Sequence, residues 1–295
     1  MKRNYAYAVA TVFIWSTMAA VSKMLLNDIP NLQTLSISGV FAFLFLFAIN
    51  AKSGKLGKMK EYRLKDYAVM AGLGFIGLFV YTALYYYGLT QLTSQEACIL
   101  NYLWPVMLVI FSCIILKERL TVLKCVAMLC SFLGIVILSA GSSASAGGNA
   151  VLGIVSCIVA AACYGLFSVL NKKADYDQNI AMMIIWLVVA VCSAVPGFFA
   201  QDWVMLSGTQ WLGMIWLGVV VDAVAYLMWA LALRGAENTA QIANIAYLTP
   251  FLSLVVSAVL LKEQIQLRAL AALVFIIGGI LLQSLCEGAG RKRAE

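Results

Sequence analysis

The chain has 295 residues, 63% of them hydrophobic and only 11% charged, with a net charge of +7 and a mean hydropathy of +0.94. Soluble domains carry about 25% charged residues, so a wetted surface of this length is excluded and a bilayer is the expected solvent. Histidine is absent, which removes the commonest general base and metal ligand. The eight cysteines lie in apolar runs without a Cys-x-x-Cys pair and suit small apolar packers, so no metal, disulfide or cofactor is expected.

A spanning helix needs roughly 20 apolar residues. Ten such runs follow one another, at 5–26, 32–51, 67–88, 95–116, 122–140, 151–171, 179–200, 211–233, 239–261 and 268–286. None alternates as a barrel strand does. The expected fold is all-α and membrane-embedded, with ten transmembrane helices. The first run has a basic start like a signal peptide, but it is too long and has a counterpart later in the chain.

Polar groups in these runs are costly in hydrocarbon, so each asks for a partner or a water-filled cavity. The first run carries Trp15, Ser16 and Lys23. The third presents Gly77, Tyr81, Tyr85 and Gly88 as a stripe, and the fourth holds Glu96, Asn101, Tyr102, Trp104 and Pro105. The sixth contributes Tyr164. The eighth sets Gly218, Asp222, Tyr226 and Trp229 on one face, and the ninth contains Asn244, Tyr247 and Pro250. Asp222 reads either as a group that binds substrate or a proton, or as a structural tie. Asn101 and Asn244 read as cavity hydrogen-bonders or interhelical ties. Pro105 and Pro250 free backbone carbonyls, and serve as hinges or simply shape the bundle.

The two halves of the chain repeat. NYLWPVMLVIFSCIILKE at 101–118 matches AYLTPFLSLVVSAVLLKE at 246–263, Trp15 and Lys23 are spaced like Tyr164 and Lys172, and Tyr81 corresponds to Tyr226. The expected domains are residues 5–140 and 151–286, joined by the GSSASAGGNA stretch at 141–150. Five helices is an odd number, so the second half would enter the membrane from the opposite side. Such inverted repeats typify alternating-access transporters with a site between the halves. All basic residues except Lys23, Lys262 and Arg268 fall on one side of this arrangement. The positive-inside rule then places both termini in the cytoplasm. The scattered short basic loops offer no face that could track nucleic-acid phosphates.

WSTMAAVSK in the first run, EACILNYLWP in the fourth, CYGLFSVLNKK in the sixth and YLTP followed by LLKE in the ninth resemble the EamA-type drug/metabolite transporters. The resemblance covers about 5–286 as two EamA repeats. It implies ten helices, cytoplasmic termini and a central cavity lined by spans 1, 3, 4, 6, 8 and 9, with the fifth and tenth peripheral. Trp15 to Met18, the Glu96…Asn101-Tyr-Leu-Trp-Pro string, and Ala225, Tyr226 and Trp229 are most similar to the aromatic amino-acid exporters within that group. Thr82 and Ala230 depart from that subfamily's pattern and leave the substrate open.

The expected activity is export of amino acids or similar small metabolites across the cell (inner) membrane, and not catalysis. Trp15, Ser16, Tyr81, Tyr85, Asn101, Tyr102, Trp104, Tyr164, Trp229, Asn244 and Tyr247 are the expected substrate contacts, with Glu96 and Asp222 for a proton or the substrate amine. The partners expected are a small molecule, protons and lipid; a single chain would suffice. Efflux of drugs, nucleobases or other metabolites is the alternative, with a passive channel behind it.

Overall fold

The computed structural model describes residues 2–115, 117, 122–139, 148–174, 176–234, 245 and 248–291. Among these residues the structure is helical and contains no strand. Helices α1 (Lys2–Leu26) and α2 (Asn31–Lys52) form the first hairpin, and α2 starts directly after Pro30, whose extended backbone ends the turn. A short 3₁₀ segment at Lys55–Glu61 leads to α3 (Leu64–Gln91), whose first turn is closed by the Arg63 N–H donating to Asp66 at 2.8 Å. Helix α4 (Ser94–Ile115) begins with a capping box, in which the Glu96 N–H donates to the Thr93 hydroxyl and the Thr93 N–H to the Glu96 carboxylate. It is interrupted at Tyr102–Leu103 and resumes at Trp104, so Pro105 sits in a first turn where its missing N–H costs nothing.

Helices α5 (Val122–Ser139), α6 (Ala150–Lys173) and α7 (Gln178–Ala200) follow. Asn149 caps α6 by accepting from the Leu152 N–H, and Asp177 caps α7 by accepting from the Asn179 N–H. Helix α8 comprises Gly208–Ile215, a run of wide π-helical turns over Trp216–Ala225, and Tyr226–Arg234. Helices α9 (Thr249–Leu261) and α10 (Leu267–Arg291) complete the described chain, with Pro250 in the first turn of α9. Seven of these helices are long and apolar enough to cross a bilayer, and shorter apolar stretches lie at Met128–Leu138, Thr249–Leu261 and Leu267–Gly279.

Hydrogen bonds fix the two ends of the bundle. At one, here the near end, the Asn50 amide donates to the Asn179 carbonyl at 3.1 Å, and Lys58 pairs with Asp177 at 3.1 Å. At the far end Gln33 and the Val204 backbone exchange two bonds, and the Asn149 N–H donates to Gln91 at 2.7 Å. Helix α1 thus runs from near to far, whereas α6 runs from far to near. Packing follows a matched scheme: α5 lies on α10, α2 on α7, α6 against α3 and α4, and α1 against α8 and α9.

Backbone details repeat as well. Helix α3 contains wide π-turns over Gly74–Val80, which stop just before Tyr81, as those of α8 stop just before Tyr226. Lys117 and Lys262, each twelve residues beyond its proline, adopt left-handed backbone with φ of 55° and 56°, a conformation uncommon for lysine.

Candidate functional site

The π-turns aim the tyrosine stripes of α3 and α8 inward, where they meet the first helix of the other half. Tyr81 lies against Tyr164 with ring centres 4.9 Å apart, and Tyr226 lies against Trp15 at 5.3 Å. Exchange of the halves converts one pair into the other. Trp104 adds an edge-on contact to Tyr164 at 5.2 Å, and Trp229 backs Trp15 at 5.4 Å. Such offset and edge-on geometries suit the quadrupoles of the rings.

Between these pairs lies a cavity of about 60 Å³. Its wall is made by Trp15, Met18 and Ala19 from α1, Tyr81 and Tyr85 from α3, and Cys98, Asn101, Tyr102 and Trp104 from α4. Tyr164, Tyr226 and Thr249 complete it from α6, α8 and α9. These are the six helices implied by the resemblance, and the wall carries no charged side chain. Asn101 donates to the Tyr81 hydroxyl at 3.1 Å, which leaves its carbonyl oxygen without a partner, and the Trp15 indole N–H is also unpartnered. A buried polar group left unpaired costs about 1–3 kcal/mol. The Thr249 hydroxyl is unpartnered as well, so the wall offers a free donor, a free acceptor and a hydroxyl that can act as either, among aromatic faces.

Of the expected contacts, Trp15, Tyr81, Tyr85, Asn101, Tyr102, Trp104 and Tyr164 meet in this wall. Trp229 stands behind Trp15, outside it. Ser16 is buried and turns its hydroxyl back to the Phe13 carbonyl at 2.7 Å. Asn244 and Tyr247 lie outside the described residues. Met18, Ala19, Cys98, Tyr226 and Thr249 were not among the expected contacts. Tyr226 and Thr249 carry a sequence signal, as the repeat partners of Tyr81 and Trp104; Cys98 shows none beyond its place one turn before Asn101.

The two acids are far apart in role. Glu96 does not line the cavity. Its carboxylate pairs with Arg268 at 3.0 Å and accepts from the Thr93 hydroxyl at 3.1 Å. It belongs to a clasp at the far end. There the Glu263 carboxylate accepts from the Ser94 N–H at 2.8 Å, the Ser94 hydroxyl at 3.0 Å and the Gln95 N–H at 3.3 Å, so it sits on the positive N-terminus of α4. The Ser94 and Ser257 hydroxyls are 2.7 Å apart, and Lys23 donates to the carbonyls of Leu89 and Leu92 at the end of α3. A second cavity of about 110 Å³ lies within this clasp, between Thr93, Gln95, Glu96, Glu263, Gln264, Gln266 and Ala269. Asp222 is 3% exposed, one layer behind the aromatic cavity, with one carboxylate oxygen unpartnered.

At the near end, outside the membrane-spanning segments, burial would raise the Asp177 carboxyl. The Lys58 ammonium, the Asn179 N–H and the Lys55 charge outweigh it and hold Asp177 down to about 2. The same pair raises Lys58. Among the described residues no cluster of His, Cys, Asp or Glu could hold a metal ion.

Comparison with known proteins matches the sequence to a family. The EamA-like transporter family model fits residues 2–140 and again 151–285. An uncharacterised transporter of Bacillus subtilis, YvbV, is 25% identical over 280 residues, covering 92% of this chain and 88% of its own. The aromatic amino acid exporter YddG of Ancylobacter novellus is 27% identical over 185 residues, 62% of this chain and 63% of that protein. A solved crystal structure superposes with a TM-score of 0.69 over 97% of this chain and 98% of its own, at 21% identity, which supports the fold alone. The chain belongs to the EamA-like transporter family and is a multi-pass membrane protein that moves a small molecule across a bilayer.

Proposed function

We propose that the chain exports amino acids, those with aromatic side chains foremost, by alternating access through the Trp15–Tyr81–Trp104–Tyr164 cavity. The observation that carries this reading is the uncharged aromatic wall with the free Trp15 donor, the free Asn101 acceptor and the unpartnered Thr249 hydroxyl. A zwitterion with a flat side chain suits both features. Its carboxylate would accept from the Trp15 indole, its ammonium would donate to the Asn101 carbonyl, and its ring would stack on the tyrosines. The similarity to an aromatic amino acid exporter favours the same class.

A cavity of about 60 Å³ holds a few waters but not an amino acid, so the helices must part before a solute can occupy the site. The far-end clasp supports closure on that side. The opposite directions of α1 and α6 and the matched packing of helices support two inverted five-helix repeats, residues 5–140 and 151–286, with ten spans in the cell membrane and both termini cytoplasmic. The break of α4 before Pro105 and the start of α9 at Pro250 are then the hinges. Alternating access would proceed by rocking one helix group against the other about the fixed site.

Counterflow in proteoliposomes tests the proposal. Preloaded phenylalanine or tryptophan should drive saturable uptake of its labelled counterpart, with competition across aromatic amino acids. Counterflow restricted to nucleobases or drugs would replace this reading with efflux of those solutes, and flux that neither saturates nor shows counterflow would indicate a channel.

A further inference from the structure

Asp222 sits in the wide-turn stretch of α8, with Tyr86 of α3 and Tyr226 of α8 near enough to feel its charge. Tyr86 is 1% exposed, and its phenol lies near the buried hydroxyls of Ser22 on α1, which has no hydrogen-bond partner, and Ser38 on α2, which donates to the Leu35 carbonyl at 3.3 Å. Four helices therefore converge on one carboxyl group, surrounded by hydroxyls.

Among the described residues no positive charge faces it. The ammonium of Lys23, on α1, is committed to the Leu89 and Leu92 carbonyls at the clasp. Helix α2 has no charged residue before Lys52 at the near end, and α3 has none between Asp66 and its last residue, Gln91. The titratable groups that face Asp222 are the phenols of Tyr86 and Tyr226. An ionised carboxylate with no counter-charge in such a place costs several kcal/mol. A neutral acid among hydroxyls avoids that cost.

A bound metal cation is the other way to neutralise the group, but packing opposes it. Helix α8 lies so close to α2 that a Cβ on Gly218, one turn away, would come within 2.3 Å of the Ser38 carbonyl oxygen. That spacing suits a proton better than a cation with a full ligand shell. The connection to the solute cavity is short, because Tyr226 neighbours Asp222, lines the cavity and touches the Trp15 ring. The Thr11 hydroxyl, which donates to the Ala225 carbonyl at 3.2 Å, steadies the wide turns between them.

We infer that Asp222 is the proton-binding site that couples transport to a pH gradient, separate from the solute contacts and linked to them through Tyr226. The inference rests on the alternating-access reading of the cavity. Asp222 holds a proton in this conformation and gives it up when rocking of the helices lets water reach it.

The test uses the full chain in proteoliposomes with phenylalanine as probe, comparing Asp222→Asn with the parent and with Asp222→Glu. Accumulation driven by a pH gradient should be lost in Asp222→Asn, counterflow should persist, and Asp222→Glu should recover part of the accumulation. Accumulation that survives in Asp222→Asn, counterflow lost together with accumulation, or a requirement for a sodium gradient would each overturn the inference. Infrared titration of the purified protein, without solute, separates this inference from the choice of substrate. The parent should show the carbonyl stretch of a protonated acid that Asp222→Asn lacks, even if no amino acid on the panel is carried; identical spectra would overturn the assignment.

Discussion

The aromatic cavity and the far-end clasp divide the chemistry of the bundle between them. The cavity wall has tyrosines, tryptophans and one amide but no charge, whereas the clasp gathers Glu96, Glu263, Arg268 and Lys23. The separation has a physical basis. A charge beside a small aromatic cavity would bind one protonation state of a solute too tightly to release it, whereas charges at a helix end act on backbone dipoles and on each other. In this account the cavity decides what is carried, and the clasp decides when the path opens.

The sharpest way to break that division is to strand the buried acid. Arg268→Gln leaves the Glu96 carboxylate, 3% exposed, without its partner. Removing one partner of a buried pair costs about 3–5 kcal/mol, so thermal unfolding in detergent should shift well downward. Glu96→Gln should cost less, because the Arg268 side chain is 21% exposed and can reach water. Equal shifts would mean that the pair is not buried in the working protein.

Next comes the cavity. Trp104→Ala removes the ring edge-on to Tyr164, a contact worth about 0.5–1.5 kcal/mol beyond area burial. Half-saturating phenylalanine in counterflow should rise by up to about tenfold for the loss of one such contact to the solute, with a moderate fall in the unfolding midpoint from the lost contact to Tyr164. A pure loss of stability at constant affinity would move Trp104 out of the site. Glu263→Gln should act in the opposite way. It weakens a charge–dipole contact of roughly 0.3–1 kcal/mol, so half-saturation should hold while a variant retaining Cys98 alone is labelled faster from the outer face. Labelling at the parental rate would show that the clasp does not control access.

Asp177 supplies the smallest effect and a control outside both regions. Asp177→Asn keeps an N-cap oxygen but loses the ion pairs with Lys58 and Lys55, worth about 0.2–1 kcal/mol. Because the folded carboxyl is held near 2, against an ordinary value of 3.8, its contribution is fully present above about pH 4. It fades as pH falls toward 2. The parent should lose stability over that window by slightly more than Asp177→Asn, as read by unfolding midpoints. Transport at neutral pH should be the same in both.

Much of this division was legible in the sequence. Hydropathy gave the membrane-embedded helical class, because runs of about twenty apolar residues have no other stable use. The repeat gave the pairing of Tyr81 with Tyr226 and of Pro105 with Pro250. The wide turns of α3 and α8 were not legible, since i→i+5 bonding leaves no residue signature in GFIGLFV or WLGVVVDAVA. The place of Glu96 was hidden for another reason. Its helical arc is shared with Asn101 and Trp104, but the partner that draws it outward, Arg268, comes from 172 residues away. A local wheel cannot report such a contact. Asp222 was legible as an acid in hydrocarbon, although its position behind the cavity depends on the approach of α1, α2 and α3.

The claim that the aromatic cavity holds the transported solute is tested most directly at Cys98, a native thiol in its wall. In a variant that retains Cys98 as its sole cysteine and still shows counterflow, phenylalanine should slow alkylation of that thiol. The concentration dependence should match its half-saturation in counterflow. Alkylation unaffected by a saturating, transported amino acid would contradict the account and place the solute elsewhere in the bundle.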